Sequence, residues 1–322
     1  MPRSVELVID MSPSSNVAER TIGVVIVTYN SAKHIDQLAT SLRSALADLP
    51  HHVVVVDNAS TDDTVTRVRD AGVCVIEMDH NAGYSAGINA GLSSLGDVSA
   101  VLVLNPDITV DQHAVAEMLA ALHDPSVGVV VPQNRLYNGE LSFVQRRDPS
   151  LLRALASTVL GANRASRWPK LSEVVQDAEA YAQVRDVDWG VGAVMMISRA
   201  CLDAVGPWDE SFFLYSEEID YCQRVRRSGR RVRYVPSAVI FHEGGGGAHN
   251  PRLRTMMTIN KVRLYARHHN RVAAWAFFAA SWLYEASRGI AGSAAARAAA
   301  VALIRPSRRP PEIKCCASFL PS

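Results

Sequence analysis

The sequence predicts an α/β protein with a mostly parallel central sheet and a helical C-terminal extension. Five apolar runs rich in β-branched residues, beginning near residues 23, 52, 73, 100 and 127, have the length and continuity of buried strands. Segments of helical period separate them, and that alternation is what builds a parallel sheet. Beyond about residue 270 the composition shifts to alanine-rich and aromatic stretches.

Taken in order, Gly23–Asn30 (GVVIVTYN) is a strand, and Ile35, Leu38, Leu42 and Leu46 then recur at helical spacing. A second strand, His52–Ser60, ends in a polar stretch, with Ser60 placed to cap the next helix and Asp62 and Asp63 in its first turn. Val73–Met78 is a third strand, and Asn81–Leu92 (NAGYSAGINAGL) a loop that becomes a helix. Ala100–Asp107 is a fourth strand, followed by a helix to about His123, and Val127–Pro132 a fifth. The stretch Asn134–Arg185 is mixed and carries the basic pair Arg146 and Arg147. Asp188–Ser198 reads as a strand, Ser198–Val205 and Glu217–Ser228 as helices, and Arg231–His242 as a strand pair broken at Pro236. Gly244–Gly247 is a flexible loop, and the chain is helical from Pro251. The expected organisation is a loose polar leader over residues 1–20, a main domain over 21–268 and an extension over 269–322.

The 322 residues, 48% of them hydrophobic, are enough for a sizeable core. Thirty-three basic residues against 32 acidic ones leave a net charge of +1, which speaks against a nucleic-acid binder. Five cysteines without CxxC spacing argue against zinc and a disulfide framework and fit a reducing compartment. The N-terminus shows no charged-then-apolar signal pattern. In the extension, Val272–Tyr284 carries no charge and holds Trp275, Trp282 and Tyr284, and Gly289–Ile304 is apolar except for Arg297. Both runs fall short of the roughly 20 residues that cross a bilayer. They read as helices lying in a membrane interface, flanked by Arg305, Arg308, Arg309 and Lys314. The alternative is a helical hairpin packed on the domain or at a homodimer contact.

Three strands end in residues that cannot serve a core: Thr28-Tyr29-Asn30, Asp57-Asn58 and Asn105-Pro106-Asp107. In an open α/β sheet ligands bind at the carboxyl ends of strands, so adjacent parallel strands would make these ends one rim. No GxGxxG follows the first strand and no GxxxxGK[ST] occurs, which disfavours a dinucleotide-binding or P-loop domain. Gly83, Gly87 and Gly91, four residues apart, form a smooth stripe, either for close helix–sheet packing or for a helix start beneath a nucleotide near Asn81 and Asn89. Asp107 offers a hard oxygen ligand, and a magnesium or manganese ion on a diphosphate needs only one or two carboxylates. His242 closes a strand and is placed either as a further ligand or as a structural histidine.

The stretches VVIVTYNS, VVVVDNASTDDT, NAGYSAGINAG, LVLNPD, DWGVGAVMMI, GPWDESFFLYSEEIDYCQR and YVPSAVIFH occur in the order seen in family 2 glycosyltransferases of the GT-A fold. The resemblance spans roughly residues 23–269 and is nearest to the rhamnosyltransferase-like branch of bacterial cell-envelope enzymes. It implies that Thr28, Asn30 and Asp57 hold the nucleoside, with Asp57 accepting the N3–H of uracil or thymine. It implies that Asn81, Gly83 and Asn89 line the nucleotide, and that Asp107 takes the metal-binding place of the family's DxD, where Asn105 replaces the first Asp. Trp189, Gly192 and Ala193 would shape the sugar and acceptor pocket, and His242 matches a histidine that helps bind Mg2+ or Mn2+. The family usually has Glu-Asp at the start of the helix after the aromatic run, with the Asp as base. Here Glu217-Glu218 stands there, so Glu218 aligns with the base, one methylene longer, and Glu217 is expected to partner the substrate or nearby polar groups.

The resemblance thus implies an inverting, metal-dependent transfer of a sugar from a nucleotide-diphospho-sugar, dTDP-L-rhamnose first, to a lipid-linked or cell-envelope glycan. The place of action would be the cytoplasmic side of the plasma membrane. The alternatives are a UDP-hexose transferase, a nucleotide-sugar-binding domain without catalysis, and a nucleotidyltransferase; the last is disfavoured because no glycine- and lysine-rich triphosphate loop follows the first strand. Acids against aromatics in SFFLYSEEIDYCQR suit a general base, because apolar walls raise a carboxylate toward working pH. Asp220, one turn before Arg224, is expected to be mainly structural.

Overall fold

The computed structural model describes residues 21–242, Gly247 and residues 249–314. The expected leader, most of the glycine loop, and Cys315 and Cys316 lie outside the described residues. The first half alternates as expected: β1 (Ile22–Thr28), α1 (Ala32–Ala45), β2 (His51–Asp57), α2 (Thr64–Asp70), β3 (Cys74–Glu77), α3 (Tyr84–Ser94), β4 (Ala100–Leu104), β5 (Thr109–Val110), α4 (Ala114–Ala121) and β6 (Val127–Arg135). Then come β7 (Leu141–Ser142), β8 (Gln145–Arg146), α5 (Leu151–Leu160), β9 (Arg185–Val187), β10 (Trp189–Gly190), β11 (Val194–Ser198), α6 (Arg199–Val205), α7 (Glu217–Arg227) and β12 (Arg231–Phe241). Three longer helices follow: α8 (Pro251–His268), α9 (Arg271–Ile290) and α10 (Ala294–Ile304).

The main sheet runs β3-β2-β1-β4-β11-β6-β12-β5. It is mixed and mostly parallel: β1 pairs in parallel with β2 and β4, β2 with β3, and β6 with β12, while β11 enters antiparallel between β4 and β6. Every residue of β1 is buried, and side chains of a strand alternate between faces. Val25 and Val27 join Ile88 of α3 on one face, and Val24 and Ile26 join Ile35, Leu38 and Leu42 of α1 on the other. A strand buried on both faces reads as a continuous apolar run, which is why the sequence showed it so plainly.

Three local expectations change. Ser60 does not cap a helix: its N–H and hydroxyl both donate to Asp57, at 2.7 and 2.6 Å, and α2 begins only at Thr64, beside Asp62. The strand expected over Asp188–Ser198 is two strands, because Val191-Gly192-Ala193 leaves the small β8–β10 ladder before β11 enters the main sheet. The strand pair expected to break at Pro236 is one strand, β12, with a shift of register between Val235 and Val239. Proline has no N–H for the ladder, and a bulge accommodates it without ending the strand.

The C-terminal helices pack together around Met256, Ile259, Tyr265, Phe277 and Leu303. A buried ion pair joins α8 to α9, Arg254 to Glu285 at 2.7 and 3.0 Å. Buried Arg309 donates to the carbonyls of Ala302 and Leu303, which the end of α10 leaves without helical partners. Trp282 and Tyr284, expected at a bilayer interface, are half-buried within this assembly, while Trp275 is exposed. Among the described residues no helix is long and apolar enough to cross a membrane.

The glycine stripe of α3 is a packing device at two of its three positions. A Cβ at Gly87 would lie 2.6 Å from Val27 Cγ1, and one at Gly91 2.5 Å from Val25 Cγ1. Valine cannot rotate away cheaply. Gly91→Ala would gain about 1 kcal/mol of helix propensity and lose about 1–3 kcal/mol to overpacking. Urea unfolding of G91A should therefore show a lower midpoint at an unchanged m-value; an unchanged or higher midpoint would mean that α3 has room to move.

Candidate active site

Because β2, β1 and β4 are parallel neighbours, their polar ends share one edge of the sheet. Thr28 pairs with Asp57 in register, and the Thr28 hydroxyl donates to Asp57 Oδ1 at 2.8 Å. With the two bonds from Ser60, the Asp57 carboxylate accepts three hydrogen bonds and is only 1% exposed. Its first task is thus to hold the rim, and a nucleobase could reach it only through a remaining lone pair. Asn30, in the left-handed region at φ 51°, ties the two strand ends together. Its N–H donates to Ser60 Oγ at 2.8 Å, and its side-chain carbonyl accepts from Thr61 N–H at 2.8 Å. Asn81 accepts from Gly83 N–H at 3.1 Å. Gly83 has φ 94°, and a Cβ there would lie 2.4 Å from the Phe213 carbonyl oxygen, so only glycine fits.

Asn89 departs from its expected place at the nucleotide. Its amide accepts from Trp208 N–H and donates to Trp208 C=O, both at 2.9 Å, which spends it on the chain leading to α7. Among the pocket candidates, Trp189 is buried and its indole N–H donates to Arg147 C=O at 3.1 Å. Ala193 C=O accepts from Asn105 N–H at 2.9 Å, which docks the end of β4 onto the segment before β11. Gly192 backs onto Glu218, whose Cβ would lie 3.0 Å from a Cβ placed at Gly192.

Asp107 and His242 come together from elements 135 residues apart, Oδ2 to Nε2 at 3.2 Å. Burial pushes the Asp107 carboxyl up, but the hydrogen bond and charge of His242, a backbone bond and the nearby His34 outweigh it and hold the group below its ordinary value. Its other oxygen, Oδ1, is buried and has no protein partner. An ionised carboxylate with one orphaned oxygen, next to an imidazole, suits a hard divalent cation that takes its remaining ligands from phosphate and water. Among the described residues no group of three or more His, Cys, Asp or Glu could hold a metal by protein ligands alone.

Glu217 and Glu218 open α7 and show the opposite behaviour. Burial pushes Glu217 well above the ordinary carboxylate value, and the charge of Glu218 adds to this. Burial also raises Glu218, opposed by backbone N–H groups at the helix start and by the Arg146 guanidinium. Glu217 Oε2 and Glu218 Oε2 are both buried without a protein partner. Tyr84, at the start of α3, links the acids: burial and the charges of Glu217, Glu218 and Asp107 raise its phenol, and its hydroxyl donates to Gly192 C=O at 3.4 Å. The expected apolar walls are only partly present. Tyr215 feels both glutamates, whereas the Phe212 ring lies under the guanidiniums of Arg263 and Arg267, at 5.1 and 4.6 Å. Asp220 pairs with Arg224 at 2.8 Å and serves the helix.

The turn into α7 is unusual. Tyr215 and Ser216 both sit in the left-handed region, at φ 69° and 78°. Asn260 of α8, fully buried, donates to the carbonyls of Leu214 and Tyr215 at 2.9 and 3.2 Å, and Arg263 donates to Ser211 C=O at 3.1 Å.

The model of the family described as Glycosyl transferase family 2 matches residues 23–188. This chain belongs to glycosyltransferase family 2. The transferase is similar to the N-acetylglucosaminyl-diphospho-decaprenol L-rhamnosyltransferase of Mycobacterium tuberculosis, with 30% identity over 234 residues, 68% of this chain and 75% of the relative. It is similar to rhamnosyltransferase WbbL of Escherichia coli at 24% identity, covering 68% of this chain and 82% of that one. Among solved structures it resembles the mannosyltransferase PcManGT from Pyrobaculum calidifontis in complex with GDP-Man and Mn2+, with a TM-score of 0.55 and 20% identity over 92% of this chain and 85% of that one. The fold is GT-A, and the chain is a nucleotide-sugar glycosyltransferase.

The structure also places at this site, or against the turn leading to it, residues to which the sequence assigned no role. Tyr84 was only the aromatic of NAGYSAG, Arg146 half of a basic pair, and Asn260 one polar residue in a helix. The pair Asn260 and Arg263, polar residues one turn apart among the apolar residues of α8, is the signal that could have marked this side of the helix.

The acid pair makes a pH-dependent prediction. Its raised values mean that the native state holds protons more tightly than the unfolded chain. The resulting stability is fully present below the ordinary carboxylate range and is lost as pH rises through the raised values. Glu217→Gln should therefore raise Tm at pH 8, on the order of 2 °C for each kcal/mol relieved. The gain over the parent should shrink toward pH 5. A difference in Tm that did not change with pH would show that Glu217 is not buried as a carboxylate.

Proposed function

We propose that this transferase moves L-rhamnose from dTDP-L-rhamnose, with inversion, onto a lipid-linked or cell-envelope glycan at the inner face of the plasma membrane. The observation that carries the reaction type is that three of the four buried carboxylate oxygens without protein partners among the described residues, on Asp107, Glu217 and Glu218, gather around Tyr84. A buried acceptor left unpaired is costly, so such atoms point to ligands. Rhamnose and the lipid-linked acceptor are supported by the two rhamnosyltransferases to which the chain is similar, one named for a decaprenol-linked substrate.

The residues divide the work by charge. Thr28, Asn30 and Asp57 form the shelf for the nucleoside, and Asn81, Gly83 and Asn105 its neighbouring wall. Asp107 and His242 would hold Mg2+ or Mn2+, and the metal supplies positive charge against the leaving diphosphate. Glu218 takes the proton of the acceptor hydroxyl as general base. Its raised pKa, tempered by Arg146, keeps it basic while leaving it able to ionise. Glu217 holds the acceptor or Tyr84 in place, and Gly192 leaves room for the Glu218 side chain.

In a thermal-shift assay dTDP-L-rhamnose with Mn2+ should raise Tm, since a ligand that binds only the native state stabilises it. EDTA or Asp107→Ala should remove the metal-dependent part of that shift. A larger shift with UDP-hexoses would replace the donor, and a full shift in D107A would remove the metal from Asp107.

Glu218→Gln should leave the donor-induced shift intact and lower kcat by about 100-fold or more, the usual scale of lost general-base catalysis. Glu218→Asp, the residue usual in the family, should stay active. Normal turnover in E218Q with loss in E217Q would move the base by one residue.

A further inference from the structure

We infer that α5, α9 and α10 form one layer whose outer face docks on an anionic lipid surface. On α9, Val272, Trp275, Ala279, Leu283 and Ile290 recur at helical spacing and are all exposed, Val272 at 80% and Ile290 at 89%. On α5, Leu152, Leu155 and Val159 do the same, and Val159 is 79% exposed. Trp168, beyond α5, and Ile304, at the end of α10, are exposed as well.

Helical phase places these stripes together. The Thr158 hydroxyl donates to Ala280 C=O at 3.0 Å, which joins α5 to one flank of α9. Thr158 precedes Val159, and Ala280 follows Ala279. The contact therefore lies about 100° from each stripe and in opposite senses. The start of α5 meets Tyr265, through the Leu151 backbone, and Tyr265 stacks on Phe277 at 4.0 Å. Leu151 to Thr158 thus runs alongside Phe277 to Ala280, in the same direction. For helices that run the same way, that phase turns both stripes to one side. Gly289 places α10 on the other flank, because a Cβ there would lie 3.0 Å from Arg297 Cα. A shallow apolar groove lined by Trp282, Ile290, Val301 and Ile304 continues the surface across α9 and α10.

Charge decides the occupant. Residues 149–172 contain four basic side chains and no acidic one. Residues 270–311 contain six arginines and one acid, Glu285, which is buried and paired with Arg254. Exposed Arg164, Arg167 and Lys170 flank Trp168 in the chain, and exposed Arg305 and Arg308 follow Ile304, with no exposed acid among these segments; Arg288, about 160° from the stripe of α9, faces away from it. Apolar side chains beside a one-signed basic rim suit the headgroup boundary of an anionic bilayer. The surface differs from the one expected from sequence: α5 joins it, while Trp282, which lines the groove, and Tyr284 are half-buried.

The inference deepens the proposed membrane-side function but does not need its sugar or acceptor. The full chain should float with vesicles of phosphatidylcholine and phosphatidylglycerol and not with phosphatidylcholine alone. Val159→Glu with Leu283→Glu, both at exposed positions, should lower vesicle partitioning by about tenfold or more, as expected when inserted apolar contacts become charges. The metal-dependent thermal shift with the nucleotide sugar should stay unchanged, which shows that the variant is folded. Undiminished flotation of the variant would overturn the inference. A dimer that the two substitutions dissociate would overturn it too and make the face a contact between copies. A donor that proves not to be dTDP-L-rhamnose would alter the proposed function and leave the flotation result standing.

Discussion

The site depends on a turn that the local chain would not choose. Two consecutive non-glycine residues in the left-handed region, Tyr215 and Ser216, cost of order 1–3 kcal/mol each and persist only where the surroundings over-determine them. Asn260 and Arg263 do this from α8, by capturing the carbonyls of the turn. The Phe213 carbonyl accepts from Tyr84 N–H at 2.8 Å on the other side, over Gly83. The turn delivers Glu217 and Glu218 to the first turn of α7, against Gly192 and near Arg146 and Tyr84. The helix start favours the anionic form while burial opposes it.

Acids in one neighbourhood take different roles when their surroundings push them apart. Asp107 is held ionised by His242, which suits an oxygen that must face a cation. Glu217 is pushed up by burial and by the charge of Glu218, and Glu218 by burial against the pull of backbone N–H groups and Arg146, which suits a group that takes a proton. Asp57 spends its carboxylate on three internal donors and fixes the ends of β1 and β2. The division follows from which donors reach each carboxylate, not from the residue type.

The C-terminal helices therefore have an inner and an outer task. Their inner side grips the turn into α7 and buries Tyr265, Phe277 and Leu303, while their outer side, with α5, carries the apolar and basic surface. Amphipathic helices used on both sides give a weak hydrophobic pattern, and this left the tail open to two readings from sequence.

The sheet was legible because strands buried on both faces must be apolar throughout, and because parallel strands must leave polar residues at their carboxyl ends where the core stops. Thr28, Asp57, Asn105 and Asp107 could be picked out on that ground alone, and Glu217 and Glu218 by the oddity of acids beside aromatics. The sequence could not say that Asn89 would be spent on Trp208 or that Ser60 would bond Asp57. Each such choice compares a short-range partner with one that only folding brings near. The meetings of Asp107 with His242, of Asn260 with the Tyr215 turn and of α5 with α9 belong to the tertiary structure alone. They join residues far apart in the chain, and periodicity carries no information about contacts at that range.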